Sequence, residues 1–147
     1  MTHFAKLFAL GLAALCTMPT AQAAGTLSAN CNVTVDYLYN GALVEEYVKA
    51  FVVQQGVAFV DDFSTTTRAK VFTANMLREG GKPVVAIDYF NDVGVFVSIG
   101  FDAKLVLHGA TSESTTGSHA TYISTGVAPT SVGGTHETAY TLVCTRA

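Results

Sequence analysis

The sequence predicts an all-β protein: one single-domain antiparallel β-sandwich or small closed β-barrel of about eight strands, carrying one disulfide. Three observations lead there. From Ala24 onward the chain has 18 Val and 16 Thr among 124 residues, against only 7 Leu. β-branched side chains suit a pleated backbone better than a helical one. Period-two alternation of apolar and polar residues recurs between Gly, Asn and Pro punctuation. Two cysteines, Cys31 and Cys144, stand near opposite ends of that stretch.

Residues 1–23 read as a cleaved signal peptide, and residues 24–147 as the single β domain. Lys6 and the terminal amine give a positive start, and Leu7 to Cys16 is an apolar run of signal length. Pro19 breaks it, and Ala21-Gln22-Ala23 supplies the small-x-small cleavage pattern. The run is shorter than the roughly 20 apolar residues needed to span a bilayer. A lipidated cysteine normally follows a small residue, whereas Leu15 precedes Cys16. These features predict a periplasmic or secreted protein with a leader of bacterial type, in which Asn32 of the Asn32-Val33-Thr34 sequon stays bare. Loss of Cys16 with the leader leaves an even pair. In an oxidising compartment Cys31 and Cys144 are expected to join. The bridge would close 113 residues.

The elements follow in order. Cys31 to Tyr39 alternates cleanly, with Cys31, Val33, Val35, Tyr37 and Tyr39 on one face. Asn40-Gly41 then predicts a type I′ hairpin, which needs positive φ at both central residues. Residues 42–55 are ambiguous. Val44, Tyr47, Val48, Phe51 and Val52 form a helical stripe, Glu45 and Lys49 an i,i+4 pair, and Gly56 a possible C-cap. The valines and the preceding hairpin turn favour a strand. Val57 to Phe63, Ala69 to Leu77, Val84 to Phe90 and Val95 to Phe101 read as further strands. They are separated by Gln54-Gln55-Gly56, Glu79 to Pro83 and Asn91 to Gly94. Lys104 to His108 and Thr121 to Thr125 are expected as short separate strands, with Thr111 to Ser118 a polar mobile loop between them. A Gly/Pro/Ser loop then runs to Gly134, and Glu137 to Thr145 is the last strand. A bridge from first strand to last suits the closure of an up-and-down barrel. It suits a sandwich with neighbouring termini equally well.

Local catalytic motifs are missing. Ser98 has Phe96 where the nucleophile elbow needs Gly. His136-Glu137 is followed by Thr138, Ala139 and Tyr140, without the second zinc-peptidase histidine. Gly80-Gly81 and Gly133-Gly134 are isolated turn glycines, not a phosphate loop. These absences do not exclude a site assembled from distant residues, such as a dispersed triad. No cofactor is called for.

Four groups of residues are the candidates for binding. Asp61, Asp62 and Arg68, with the intervening Ser64-Thr65-Thr66-Thr67, form the densest polar cluster, able to bind a cation or sugar or simply to build turns. Asp88 lies on a strand apolar on both faces, so it sits at a pocket wall, pairs inside, or is exposed near the Asn91 turn. His119 and His136 flank loops of the C-terminal half and are candidate metal ligands, with Glu113 or Glu137 as a third donor. The plain alternative is that the two are solvated and apart. His108 is expected to be a hydrogen-bonded structural histidine.

Without the leader, seven basic residues face eleven acidic ones, a net charge of −4. Scattered over the chain, the basic residues make no phosphate-binding stripe, so no nucleic-acid partner is expected. No later run is apolar enough for a transmembrane helix, and charges in mid-strand argue against an outer-membrane barrel. The function expected is that of an exported non-catalytic binding module or inhibitor acting through its loops on a protein or small ligand. A structural or surface-assembly subunit is one alternative, favoured by an uncharged open sheet edge. A barrel carrying a small ligand, or a metal-dependent enzyme, is another.

Overall fold

A computed structural model of the chain describes residues 26–94, 97–109, 112–124 and 133–147. The proposed leader lies outside them, as do Val95, Phe96 and most of the Gly/Pro/Ser loop. The described residues form eight strands and no helix. These are β1 (Ser28–Tyr39), β2 (Ala42–Gln54), β3 (Phe59–Asp62), β4 (Lys70–Glu79), β5 (Lys82–Gly94), β6 (Val97–Val106), β7 (Ser112–Ser124) and β8 (Gly133–Arg146).

They build two four-stranded antiparallel sheets, β2-β1-β8-β7 and β3-β4-β5-β6, stacked as a sandwich. Neighbour follows neighbour as in an up-and-down barrel, and the ring even closes between β8 and β1. The backbone ladder breaks at two seams, β2/β3 and β6/β7. The closed barrel is therefore corrected to a sandwich. Side chains rather than backbone hydrogen bonds hold the first seam. Phe51 stacks on Phe59 at 5.0 Å, Tyr47 on Phe63 at 4.5 Å, and Lys49 reaches Asp61.

Asn40 and Gly41 have φ of 50° and 77°, the backbone that the type I′ turn demands. Residues 42–54 are a strand. Tyr47, Phe51 and Val53 point inward, whereas Val48 and Val52 are about 60 % exposed. The apparent helical stripe thus mixes two faces of an edge strand. Asn91 to Gly94 continues β5 rather than turning, and Lys104 lies inside β6, which ends at Val106, rather than opening a new strand.

The predicted loop beginning at Thr111 is corrected from Ser112 on, where β7 runs through Ser124 as one strand paired to β8. Its letters hide the alternation because both faces are polar or small. Glu113, Thr115 and Gly117 lie opposite Cys144, Leu142 and Tyr140 and turn toward the interior. The Tyr140 ring lies across Gly117, so close that an added Cβ would stand 2.7 Å from its edge. An aromatic laid over a cross-strand glycine is a known way to hold such a strand.

Aromatic rings fill the space between the sheets. Phe72 is fully buried, with Tyr47, Phe51 and Phe59 around it at 5.3 to 6.3 Å. Tyr89 continues the row to Phe101 at 5.6 Å, and Phe101 stacks on Tyr140 at 4.5 Å. Burial pushes the Tyr89 hydroxyl up to about 12, against the lowering pull of its hydrogen bond from Asn91. Cys31 and Cys144 face each other on the two central strands, β1 and β8, and are bonded.

Candidate functional site

The two ends of the sandwich differ. One carries the disulfide, the Gly80-Gly81 turn and the β6–β7 connection. The other gathers the Asn40-Gly41 turn, the β3–β4 connection, and the ends of β5 and β7 where β6 and β8 begin. The register fixes this second end. Tyr39 pairs with His136, His136 with Thr121, and Asp92 with Ser98. Asn40 docks the hairpin onto β8, its amide donating to the Thr135 carbonyl and its side-chain oxygen accepting from the Thr135 amide, each at 2.9 Å.

At this end His136 lies between two tyrosines. The Tyr37 ring is parallel to it, within 4°, and the Tyr37 hydroxyl is 2.9 Å from His136 Nδ1. Tyr39 tilts against it at 5.0 Å and packs on Gly134, where any side chain would collide with the ring. Burial, then the neighbouring Tyr39, holds the Tyr37 hydroxyl above its ordinary pKa, so it stays protonated.

Three cavities meet here. One of about 280 Å³ is walled by Tyr37, Tyr39, Val44, Ile123 and His136. One of about 200 Å³ is lined by Ser98, Ile99, His119, Thr121, His136 and Thr138. A wider one of about 660 Å³ runs between Arg68 and Phe90, Asp92 and Ser98. Val97, Ser98, Ile123 and His136 are shared between them.

The polar cluster of the sequence is divided. Asp61 Oδ2 accepts from the Tyr47 hydroxyl at 2.8 Å and from Lys49 Nζ at 2.9 Å. Those bonds, Lys49 first, hold its carboxyl below the ordinary range, and Asp61 thereby clamps the β2/β3 seam. Burial, then the bond to Asp61, raises Tyr47. Asp62 Oδ1 accepts the Ser64 amide at 3.0 Å, building the turn that the composition suggested. Arg68 alone of the three lines a cavity. A second ion pair, Lys70 with Glu45, crosses the same seam beside Tyr37.

Asp88 is exposed on the outer face of β5, opposite Thr73 and Asp102. It is neither paired inside nor a cavity wall. His119 and His136 occupy diagonal positions on one face of β7 and β8 and border one cavity. The acids suggested beside them do not join them. Glu113 sits at the far end, accepting from the His108 and Gly109 amides at 2.6 and 2.9 Å. Glu137 falls on the opposite face of β8 by alternation. His108 is hydrogen-bonded, to Glu113 at 3.3 Å, but it lies past the end of β6 with its side chain exposed rather than inside a strand. Among the described residues no group of three or more His, Cys, Asp or Glu gathers to hold a metal.

Sequence reasoning missed Tyr37, Tyr39, Val44 and Ile123. Two tyrosines on one strand face immediately before an Asn-Gly turn were the available signal. Compared with models of known protein families and with curated proteins, the chain matches none. Among the described residues no helix is long and apolar enough to cross a membrane. A disulfide in an all-β domain is compatible with an extracellular location.

Proposed function

We propose that the chain is an exported, non-catalytic binding domain whose ligand seats at the tyrosine–histidine end of the sandwich. The observation that carries this reading is the 280 Å³ cavity between Tyr39, Val44, Ile123 and His136. Its walls are mostly apolar, with a few polar groups converging on it, the usual make-up of a small-molecule site. Tyr39 is 38 % exposed and offers a ring face to stack upon. The Tyr37 hydroxyl and the His136 ring supply the polar edge. A flat, ring-bearing molecule with one hydrogen-bonding group is the ligand chemistry that fits. Export is supported by the leader pattern in residues 1–23 and by the bridge, which needs an oxidising compartment.

The test is a titration of isotope-labelled protein with p-cresol and with indole, followed by amide chemical shifts. Shifts are expected at residues 37–44, 97–98, 121–123 and 133–136, and Tyr39→Ala should weaken them about ten-fold, the loss of roughly 1.4 kcal/mol of stacking. Shifts confined to the disulfide end, or unchanged in Tyr39→Ala, would refute the assignment.

The alternative of an assembly subunit is less well supported: β2 is a thirteen-residue edge strand with Val44, Val48 and Val52 exposed, but it also carries Glu45, Glu46 and Lys49, and charged edges resist the addition of a further strand.

A further inference from the structure

We propose that His119 and His136 form a two-imidazole site for a divalent transition-metal ion, Cu²⁺ first in affinity, at the seam between β6 and β7. It lies beside the ring-binding cavity but does not rest on that reading. The pairing register is the first support. His119 lies opposite Thr138 and His136 opposite Thr121, so the two histidines are diagonal neighbours on one face. Such neighbours have Cα atoms roughly 7–8 Å apart, a span two imidazoles can close on one ion. Both border the same 200 Å³ cavity.

The second support is the Thr138 hydroxyl. Thr138 lines that cavity, the residue is 1 % exposed, and its hydroxyl oxygen has no hydrogen-bond partner among the described residues. A buried hydroxyl without a partner is costly, and a small shift of the side chain toward a metal-bound water in the cavity would give it one. The third support is Tyr37. A ligating histidine normally donates its other ring N–H to an outer partner. Here the Tyr37 oxygen is 2.9 Å from His136 Nδ1. When Nδ1–H donates to that oxygen, the Nε2 lone pair is left for the ion, and no net proton is released. Near His119, the one competing group among the described residues is the Thr121 hydroxyl, at 3.3 Å from Nε2.

The donor set decides the metal. Both mature cysteines are locked in the disulfide, and Glu113 and Glu137 are elsewhere. Two neutral nitrogens completed by water suit a borderline divalent ion, and Cu²⁺ stands at the top of the divalent affinity order. Ca²⁺ and Mg²⁺, which want oxygen ligands, are excluded by the same set.

The experiment is calorimetry and electron paramagnetic resonance of the exported, disulfide-closed protein titrated with CuCl₂ at neutral pH. One strong equivalent with coupling to two nitrogens is expected. His119→Ala and His136→Ala should each weaken it at least ten-fold, and Tyr37→Phe by about ten-fold, the size of an outer-partner loss. His108→Ala, at the opposite end of the sandwich, should leave it unchanged. His119 is exposed, so its variant folds even where the buried neighbours are less tolerant; a thermal melt without metal checks each. Copper binding that survives His119→Ala, or that disappears in His108→Ala, would mean an adventitious ion only and would overturn the proposal.

Discussion

Replacing Cys31 and Cys144 together by alanine is expected to lower the free energy of unfolding by about 4–5 kcal/mol, the chain-entropy value for so long a closed loop. The bridge spans 113 residues, nearly the whole described chain. Without it the unfolded ensemble gains the freedom to separate its ends. The partners also sit on β1 and β8, the two central strands of one sheet, and both are buried. Every other element is strung between them, so the bridge closes the ring of strands at its one sequence-distant contact. Both cysteines must be replaced together, since a single replacement leaves a reactive thiol. Equilibrium urea unfolding of wild type and double variant measures the difference. A loss below about 1 kcal/mol would show that the unfolded chain already keeps its ends together, which the entropic account excludes.

The second large effect is expected at Phe72. Phe72→Ala should cost about 3–5 kcal/mol, through lost transfer energy and the cavity left behind. The ring is fully buried on β4. Phe59, Phe51 and Tyr47 surround it from the strands that meet at the β2/β3 seam. That seam has no backbone ladder. Removal of the ring takes away the side chain that Tyr47, Phe51 and Phe59 share, leaving the Phe51–Phe59 and Tyr47–Phe63 stacks without backing from β4, and the partly exposed Lys49–Asp61 and Lys70–Glu45 pairs contribute little each. Phe72→Leu, which keeps most of the volume, should cost clearly less. Urea unfolding of both variants checks the order, and equal losses would mean that the seam does not depend on the ring.

The strands were legible where one face is apolar and the other polar, as in Cys31 to Tyr39. They were legible too where turn chemistry is strict, as at Asn40-Gly41. The end of β7, from Thr121, was read as a strand, but its first part was not, because Thr115 and Gly117 are inward residues without apolar letters, and Tyr140, a partner distant in sequence, supplies the bulk over them. Sandwich and barrel were indistinguishable because strand order is the same in both. What differs is whether the β2/β3 and β6/β7 ladders form, which local pattern does not encode. The candidate site was legible in part. His119 and His136 were singled out, but their shared cavity depends on the register of β7 on β8. The Asp61–Asp62–Arg68 cluster is contiguous in sequence, and the fold divides it among a seam clamp, a turn and a cavity wall. Tyr37 and Tyr39 gain meaning only when β8 brings His136 between them.

Intact-mass spectrometry of protein recovered from the compartment where it resides tests the central claim of a shortened, disulfide-closed chain most directly, because leader removal and the bridge each change the mass. The expected species begins at Ala24, is two hydrogens lighter than the dithiol form, and takes up no thiol reagent until reduced. A chain that keeps residues 1–23, or one in which Cys31 and Cys144 react freely, would contradict it.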